Sequence, residues 1–142
     1  MARVYIGFRL HRPGIHEGEA VSGGCHVRVM DGRGNKQPLN PHLELRNHSP
    51  TGFEWGYGGS GPAQLAFALA MDATGDRRRA EHVHQRLKFR LVGRLPYDGW
   101  LLTQEEVLAA IRAIEDQEPV GELGEIGADD EDDKPRDYDY WA

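Results

Sequence analysis

The sequence is poor in the residues that usually announce a mechanism. Cys25 is its only cysteine, which excludes an internal disulfide framework and a cysteine-rich zinc site. No stretch of about 18 apolar residues is present to span a bilayer, so no membrane partner is expected. The opening Met1 to Leu10 alternates like a strand and holds neither the apolar core nor the small-residue cleavage site of a secretory signal. The expected location is the cytoplasm. Neither H-E-x-x-H nor G-x-S-x-G occurs, and no lysine follows the glycines as it does in the phosphate-binding loop of ATPases. Ser49, Ser60 and Cys25 lack the sequence setting of a nucleophile, so no catalytic residue and no cofactor are assigned. His82 and His84 would share a face on a strand but diverge by about 200° on a helix, and no metal site is assigned to them.

What is present begins with length and charge. A chain of 142 residues is long enough to bury a core without covalent staples. Its net charge of −6 is unevenly placed. From Glu122 to Ala142 nine acids stand against two bases, giving −7, while residues 1–121 hold fourteen acids and fifteen bases, giving +1. The acidity therefore belongs to the tail.

Read in order, residues 3–10 place Val4, Ile6 and Phe8 on one face and Tyr5, Gly7 and Arg9 on the other, the period of a strand. A glycine- and proline-bearing connection follows over residues 11–24. Cys25, Val27 and Val29 alternate with His26, Arg28 and Met30 as a second strand. The Asp31-Gly32-Arg33-Gly34-Asn35 turn predicts a short returning strand over residues 36–39. Leu43 and Leu45 alternate with Glu44 and Arg46, which predicts one more short strand.

Residues 62–74 then read as a helix, with Ser60 or Gly61 as N-cap, Pro62 in the first turn and Gly75 past its end. Residues 63–71 are apolar except Gln64, so this helix is expected to be buried on every side. Ala80, Val83, Leu87 and Leu91 recur at helical spacing through residues 77–94. Residues 95–100 are expected to form a turn that ends on a core aromatic, Trp100. Thr103 and Glu106 form a capping box ahead of a last helix ending near Glu115. The expected architecture is α+β, over residues 1–118: a small antiparallel sheet packed on a buried central helix, with two further helices. Residues 119–142 are expected to be a disordered acidic tail.

Five glycines lie between Gly52 and Gly61, and Gly56-Tyr57-Gly58-Gly59-Ser60-Gly61 matches G-x-G-x-x-G at the start of a helix, with Asp76 twenty residues beyond Gly56. A dinucleotide site is nonetheless disfavoured, because the loop follows antiparallel-looking strands and no βαβ unit surrounds it. Two readings stay open. In one, loop amides at Gly58, Gly59 and Ser60 hold a small anionic or nucleotide-like ligand, with Phe53, Trp55 or Tyr57 stacking on it and Glu54 or Gln64 bonding its edge. In the other, the glycines let a tight loop cross the central helix while Phe53 and Trp55 pack inward. His48 is the histidine placed beside this loop.

The segment Asn47-His48-Ser49-Pro50-Thr51-Gly52-Phe53-Glu54-Trp55-Gly56-Tyr57-Gly58-Gly59-Ser60-Gly61-Pro62-Ala63-Gln64-Leu65-Ala66 resembles a motif of small bacterial and phage proteins grouped as a domain of unknown function. The resemblance extends from Tyr5-x-Gly7-x-Arg9 to Trp100-Leu101-Leu102-Thr103. It implies that the loop, Tyr5 and Arg9 form one site or one packing unit, and it implies no particular chemistry.

A second candidate surface is basic. Between Arg77 and Arg94 seven bases (Arg77, Arg78, Arg79, Arg86, Lys88, Arg90 and Arg94) face one acid, Glu81. Such a strip suits a nucleic-acid phosphate backbone or an acidic protein partner, or is simply a solvated face. The acidic tail, closing on Tyr138-Asp139-Tyr140-Trp141, would compete for the same arginines or act as a docking segment.

Overall fold

The computed structural model describes residues 3–9, 24–50 and 52–117. Expectations for residues 11–23 and for the tail fall outside them. Four antiparallel strands among the described residues form one sheet in the order β3-β2-β1-β4: β1 (Val4–Arg9), β2 (Cys25–Met30), β3 (Lys36–Pro38) and β4 (Gly99–Thr103). Among the described residues three helices join the sheet in an α+β fold: α1 (Ser60–Thr74), α2 (Arg77–Arg90) and α3 (Gln104–Gln117). A 3₁₀ turn, Val92–Arg94, follows α2.

β1 lies at the centre of the sheet, and the register shows which of its faces is the core. Tyr5 stands opposite Val29 and Leu102, and Gly7 opposite Val27 and Trp100. These residues are buried in one cluster with α1. The larger aliphatic set, Val4, Ile6 and Phe8, lies on the other face. Gly7 makes room for its neighbour, since a Cβ there would sit 2.2 Å from Cε2 of Trp100. The turn between β2 and β3 is closed by Asp31, whose carboxylate accepts from the amides of Arg33 at 2.8 Å and Asn35 at 3.0 Å. Gly34 supplies the positive φ of 90° that the turn requires.

Three sequence expectations are corrected here. Residues 43–45 form a turn rather than a strand, because the amides of Leu45 and Arg46 both bond back to the carbonyl of His42. Gly99 and Trp100, expected to end the turn over residues 95–100, instead open a full edge strand on β1, residues 99–103. The N-cap of α1 is Gly59, with Ser60 already the first helical residue.

α1 is buried along almost its whole length, including Leu65, Phe67 and Leu69. Each such side chain contributes roughly 1.5–3 kcal/mol of transfer free energy. Gly75, at φ 68°, ends α1 and donates its amide to Met71 at 2.8 Å. Asp76 then caps α2 by accepting from Arg79 N at 3.2 Å, which gives that carboxylate a structural role. The capping box of α3 forms as expected: Thr103 N donates to Glu106 at 2.8 Å, and Glu106 N to Thr103 Oγ1 at 3.0 Å. No helix among the described residues is long and apolar enough to cross a membrane.

Candidate functional site

Gln64 is the polar residue in the otherwise apolar stretch 63–71 of α1, and every hydrogen bond its amide can make is used. Its Oε1 accepts from the amides of His48 at 2.6 Å and Ser49 at 3.0 Å, while its Nε2 donates to the carbonyls of Pro41 at 2.7 Å and Arg46 at 2.9 Å. One fully buried side chain thus staples residues 41–49 to α1. No donor remains for the edge of a ligand.

Arg9, at the end of β1, does reach the glycine loop. Its Nε donates to the carbonyl of Tyr97 at 2.6 Å, Nη1 to Cys25 Sγ at 2.8 Å and Nη2 to Glu54 Oε1 at 3.1 Å. The guanidinium lies 3.7 Å from the ring centroid of Tyr97 and 4.9 Å from that of Trp55. With its side chain only 9% exposed, Arg9 is a clasp between sheet and loop. Trp55 is buried, bonds Tyr97 O at 3.0 Å and meets Trp100 edge-on. Burial, reinforced by the neighbouring Glu54 carboxylate, pushes the Cys25 thiol up to about 12. It is protonated at neutral pH and is a poor nucleophile.

The other proposed loop residues divide between the two readings. Gly58 and Gly59 are buried, and Phe53 is partly buried against the core. Gly61 is held against Glu54, where a Cβ would come within 2.7 Å of Glu54 Cβ. Tyr57 is 39% exposed. Its hydroxyl pKa is raised by burial first and by Glu54 second. Tyr5 does not join the loop: its hydroxyl donates to Asp72 at 2.8 Å in the last turn of α1, roughly 18 Å along the helix from Ser60. Arg3 grips the same carboxylate through two bonds, at 2.9 and 3.1 Å.

His48 pairs with His84, Nε2 to Nε2 at 3.0 Å. His84 Nδ1 sits 3.1 Å from two acceptors, the carbonyls of Ala80 and Glu81, so it carries the proton. One of the two Nε2 atoms donates to the other. Among the described residues no group of three or more histidine, cysteine or acidic side chains is placed to hold a metal ion.

The basic strip separates into distinct fates. Lys88 is buried, its ammonium 4.5 Å from the centroid of the Phe89 ring. Arg79 forms a two-point pair with Glu115 on α3, at 2.7 and 2.9 Å. Arg77 turns toward Glu81 and the carbonyl of Leu45, and Arg46 also pairs with Glu81. Arg78, Arg86, Arg90 and Arg94 are exposed. On an ideal helix Arg78, Arg86 and Arg90 span an arc of about 120° and a length of about 18 Å. Phe89 falls inside that arc and is 43% exposed.

The glycine loop meets this strip at its far end. Gly56 N donates to Val92 O at 3.1 Å, and Gly93 packs so closely on the Tyr57 backbone that a Cβ would lie 3.3 Å from Tyr57 O. Tyr97, 64% exposed, follows three residues after Arg94. The exposed aromatics Tyr57 and Tyr97 thus adjoin the chain that continues the arginine strip. Phe89 and Tyr97 were not singled out from sequence as surface residues. Phe89 could have been, since it lies off the apolar phase set by Ala80, Val83, Leu87 and Leu91.

A family model described as a family of unknown function, DUF6166, matches residues 16–113. The chain belongs to this family. The match takes in the loop, the strip on α2 and the capping box of α3, and the family carries no assigned chemistry. No curated protein and no solved structure matches the chain.

Proposed function

We propose that this protein is a non-catalytic binding module that takes a polyanion, specifically a single-stranded nucleic acid, across the outer side of α2 and the neighbouring Tyr57 and Tyr97. The carrying observation is the exposure of Arg78, Arg86, Arg90 and Arg94 with Phe89 set among them. The one acid of α2, Glu81, lies about 60° to the other side of Arg78 and is engaged by Arg46 and Arg77. Arginine side chains supply phosphate contacts, and exposed aromatic rings supply faces on which unpaired bases stack, worth about 1–3 kcal/mol per base. A duplex would leave those rings without bases to stack on.

The alternative, a small anionic ligand held at the glycine loop, has less chemistry available. Gln64 spends both its donors internally and Arg9 three of its own, and Gly58 and Gly59 are buried.

The test is fluorescence anisotropy with a labelled oligothymidylate of about 12 nucleotides, titrated at several salt concentrations. The expected log–log salt slope is about −3, the value for roughly four neutralised phosphates on a single strand. Replacing the four exposed arginines by alanine is expected to weaken binding more than about tenfold and flatten the slope. Binding that ignores the replacement, or no binding at low salt, would overturn the proposal.

A further inference from the structure

We propose that the arginine strip on α2 has an internal occupant, the acidic tail of this same chain, which lies across the strip and competes with the polyanion. This rests on the reading of the strip as a polyanion surface. Three observations support it.

The first is charge complementarity. The tail carries five consecutive acids, Asp129 to Asp133, and the strip presents Arg78, Arg86, Arg90 and Arg94 to solvent.

The second is position. α3 ends at Gln117, and two residues earlier Glu115 is bonded to Arg79 in the first turn of α2. The tail therefore leaves the fold beside the start of the strip. Eleven residues lie between Gln117 and Asp129, enough chain to reach up to about 40 Å, and the strip is only about 18 Å from Arg78 to Arg90. Tethering at such a span gives an effective concentration in the millimolar range, so weak ion pairs suffice to hold the tail.

The third is chemical mimicry. The run of carboxylates is followed by Tyr138, Tyr140 and Trp141, an order of anionic groups and flat rings that can meet the arginines and then the exposed rings near Tyr97. The tail presents the two features that a single strand would present: negative charge at close spacing and faces for stacking.

Trp141 provides a direct probe, because the other two tryptophans, Trp55 and Trp100, are buried. The difference in acrylamide quenching between the full chain and a Trp141→Phe variant isolates its signal. At about 20 mM salt Trp141 is expected to be quenched about threefold less readily than at about 500 mM, where screening releases the tail. The same release is expected at low salt on replacing Arg78, Arg86, Arg90 and Arg94 by alanine, or on neutralising the acids with D129N, D130N, E131Q, D132N and D133N. Shielding that does not change with protein concentration supports an intramolecular tail. Equal quenching under all these conditions would overturn the inference, as would shielding that grows with protein concentration, which would place the tail on a second copy.

The oligothymidylate then separates the two proposals. The acid-neutralised full chain is expected to bind it about tenfold more tightly than the native chain. If neither chain binds it while Trp141 is still shielded through the arginines, the nucleic-acid reading fails and the tail contact stands. If both bind it equally and Trp141 is never shielded, the tail contact fails and the nucleic-acid reading stands.

Discussion

Around Gln64 and Arg9 the polar groups turn inward: one amide holds two backbone N–H groups and two carbonyls of residues 41–49, while the guanidinium at the end of β1 ties Tyr97, Cys25 and Glu54 together. Along the outer side of α2 the polar groups turn outward, with Arg78, Arg86, Arg90 and Arg94 in solvent. Both regions are rich in donors, but the first turns them onto the fold itself while the second carries them at the surface. A glycine-dense loop with aromatics and a carboxylate has the composition of a ligand site, and here most of that composition is used to fasten the loop to the sheet and to α1. Composition identifies where bonds are made; only the partner list says whether they are made internally.

The largest effect should come from breaking the inward region. Gln64→Leu would leave four backbone groups without their partner, two donors and two acceptors, at about 1–3 kcal/mol for each that stays buried. The expected loss is about 3–5 kcal/mol in urea unfolding, with loss of protection from exchange at the His48 and Ser49 amides. Gly7→Val comes next, because its Cβ would enter the space of the Trp100 ring. A cost of about 2–3 kcal/mol is expected, and in a double-mutant cycle Trp100→Leu should recover part of it.

Arg9→Ala is expected to cost about 2 kcal/mol through its charge-assisted bonds and its stacking on Tyr97. Arg9→Lys should not restore it, since an ammonium cannot form the same planar stack and fork. The four-arginine alanine variant of α2 sharpens the contrast from the other side. Its stability should change by less than about 0.5 kcal/mol per position while polyanion binding collapses.

The smallest effect concerns the β2–β3 turn. The amides of Arg33 and Asn35 hold the Asp31 carboxyl below the ordinary carboxylate value of about 3.9. A depressed folded-state pKa contributes stability that is present above the unfolded value and is lost as pH falls through the folded one. The Arg33 and Asn35 amides should therefore lose exchange protection only in that acid range, and Asp31→Ala should remove the pH dependence.

Much of this fold was legible in the sequence, because local rules and tertiary packing agree there. The alternation of β1 and β2, the Asp31–Asn35 turn, the Thr103–Glu106 box and the largely apolar run 63–71 of α1 each carry their own local signal. Where tertiary bonds decide, the sequence misled. Leu43 and Leu45 alternate like a strand, but the His42 carbonyl captures the following amides into a turn. β4 was hidden because its five residues follow a Pro-Tyr-Asp-Gly turn signal and pair only with the distant β1.

The site was legible in part. Arg9 bonds Glu54 in the loop. Tyr5 has the same strand phase, yet its hydroxyl finds Asp72, a partner 67 residues away that no local pattern announces. In the same way nothing in seven clustered bases shows that Lys88 is buried or that Arg79 is paired with Glu115. His84 fits the apolar spacing of Ala80, Val83 and Leu87, so its burial against His48 was readable from the helix period.

The most direct measurement is a ¹H–¹⁵N titration of the labelled full-length chain with unlabelled oligothymidylate at low salt. Shifts are expected to concentrate at Arg78, Arg86, Phe89, Arg90 and Arg94 and at the adjoining Tyr57 and Tyr97, with the amides of His48, Ser49 and Gln64 unmoved. Shifts confined to Gly58, Gly59, Ser60 and Gln64, with the α2 arginines silent, would contradict the α2 reading and return the site to the glycine loop.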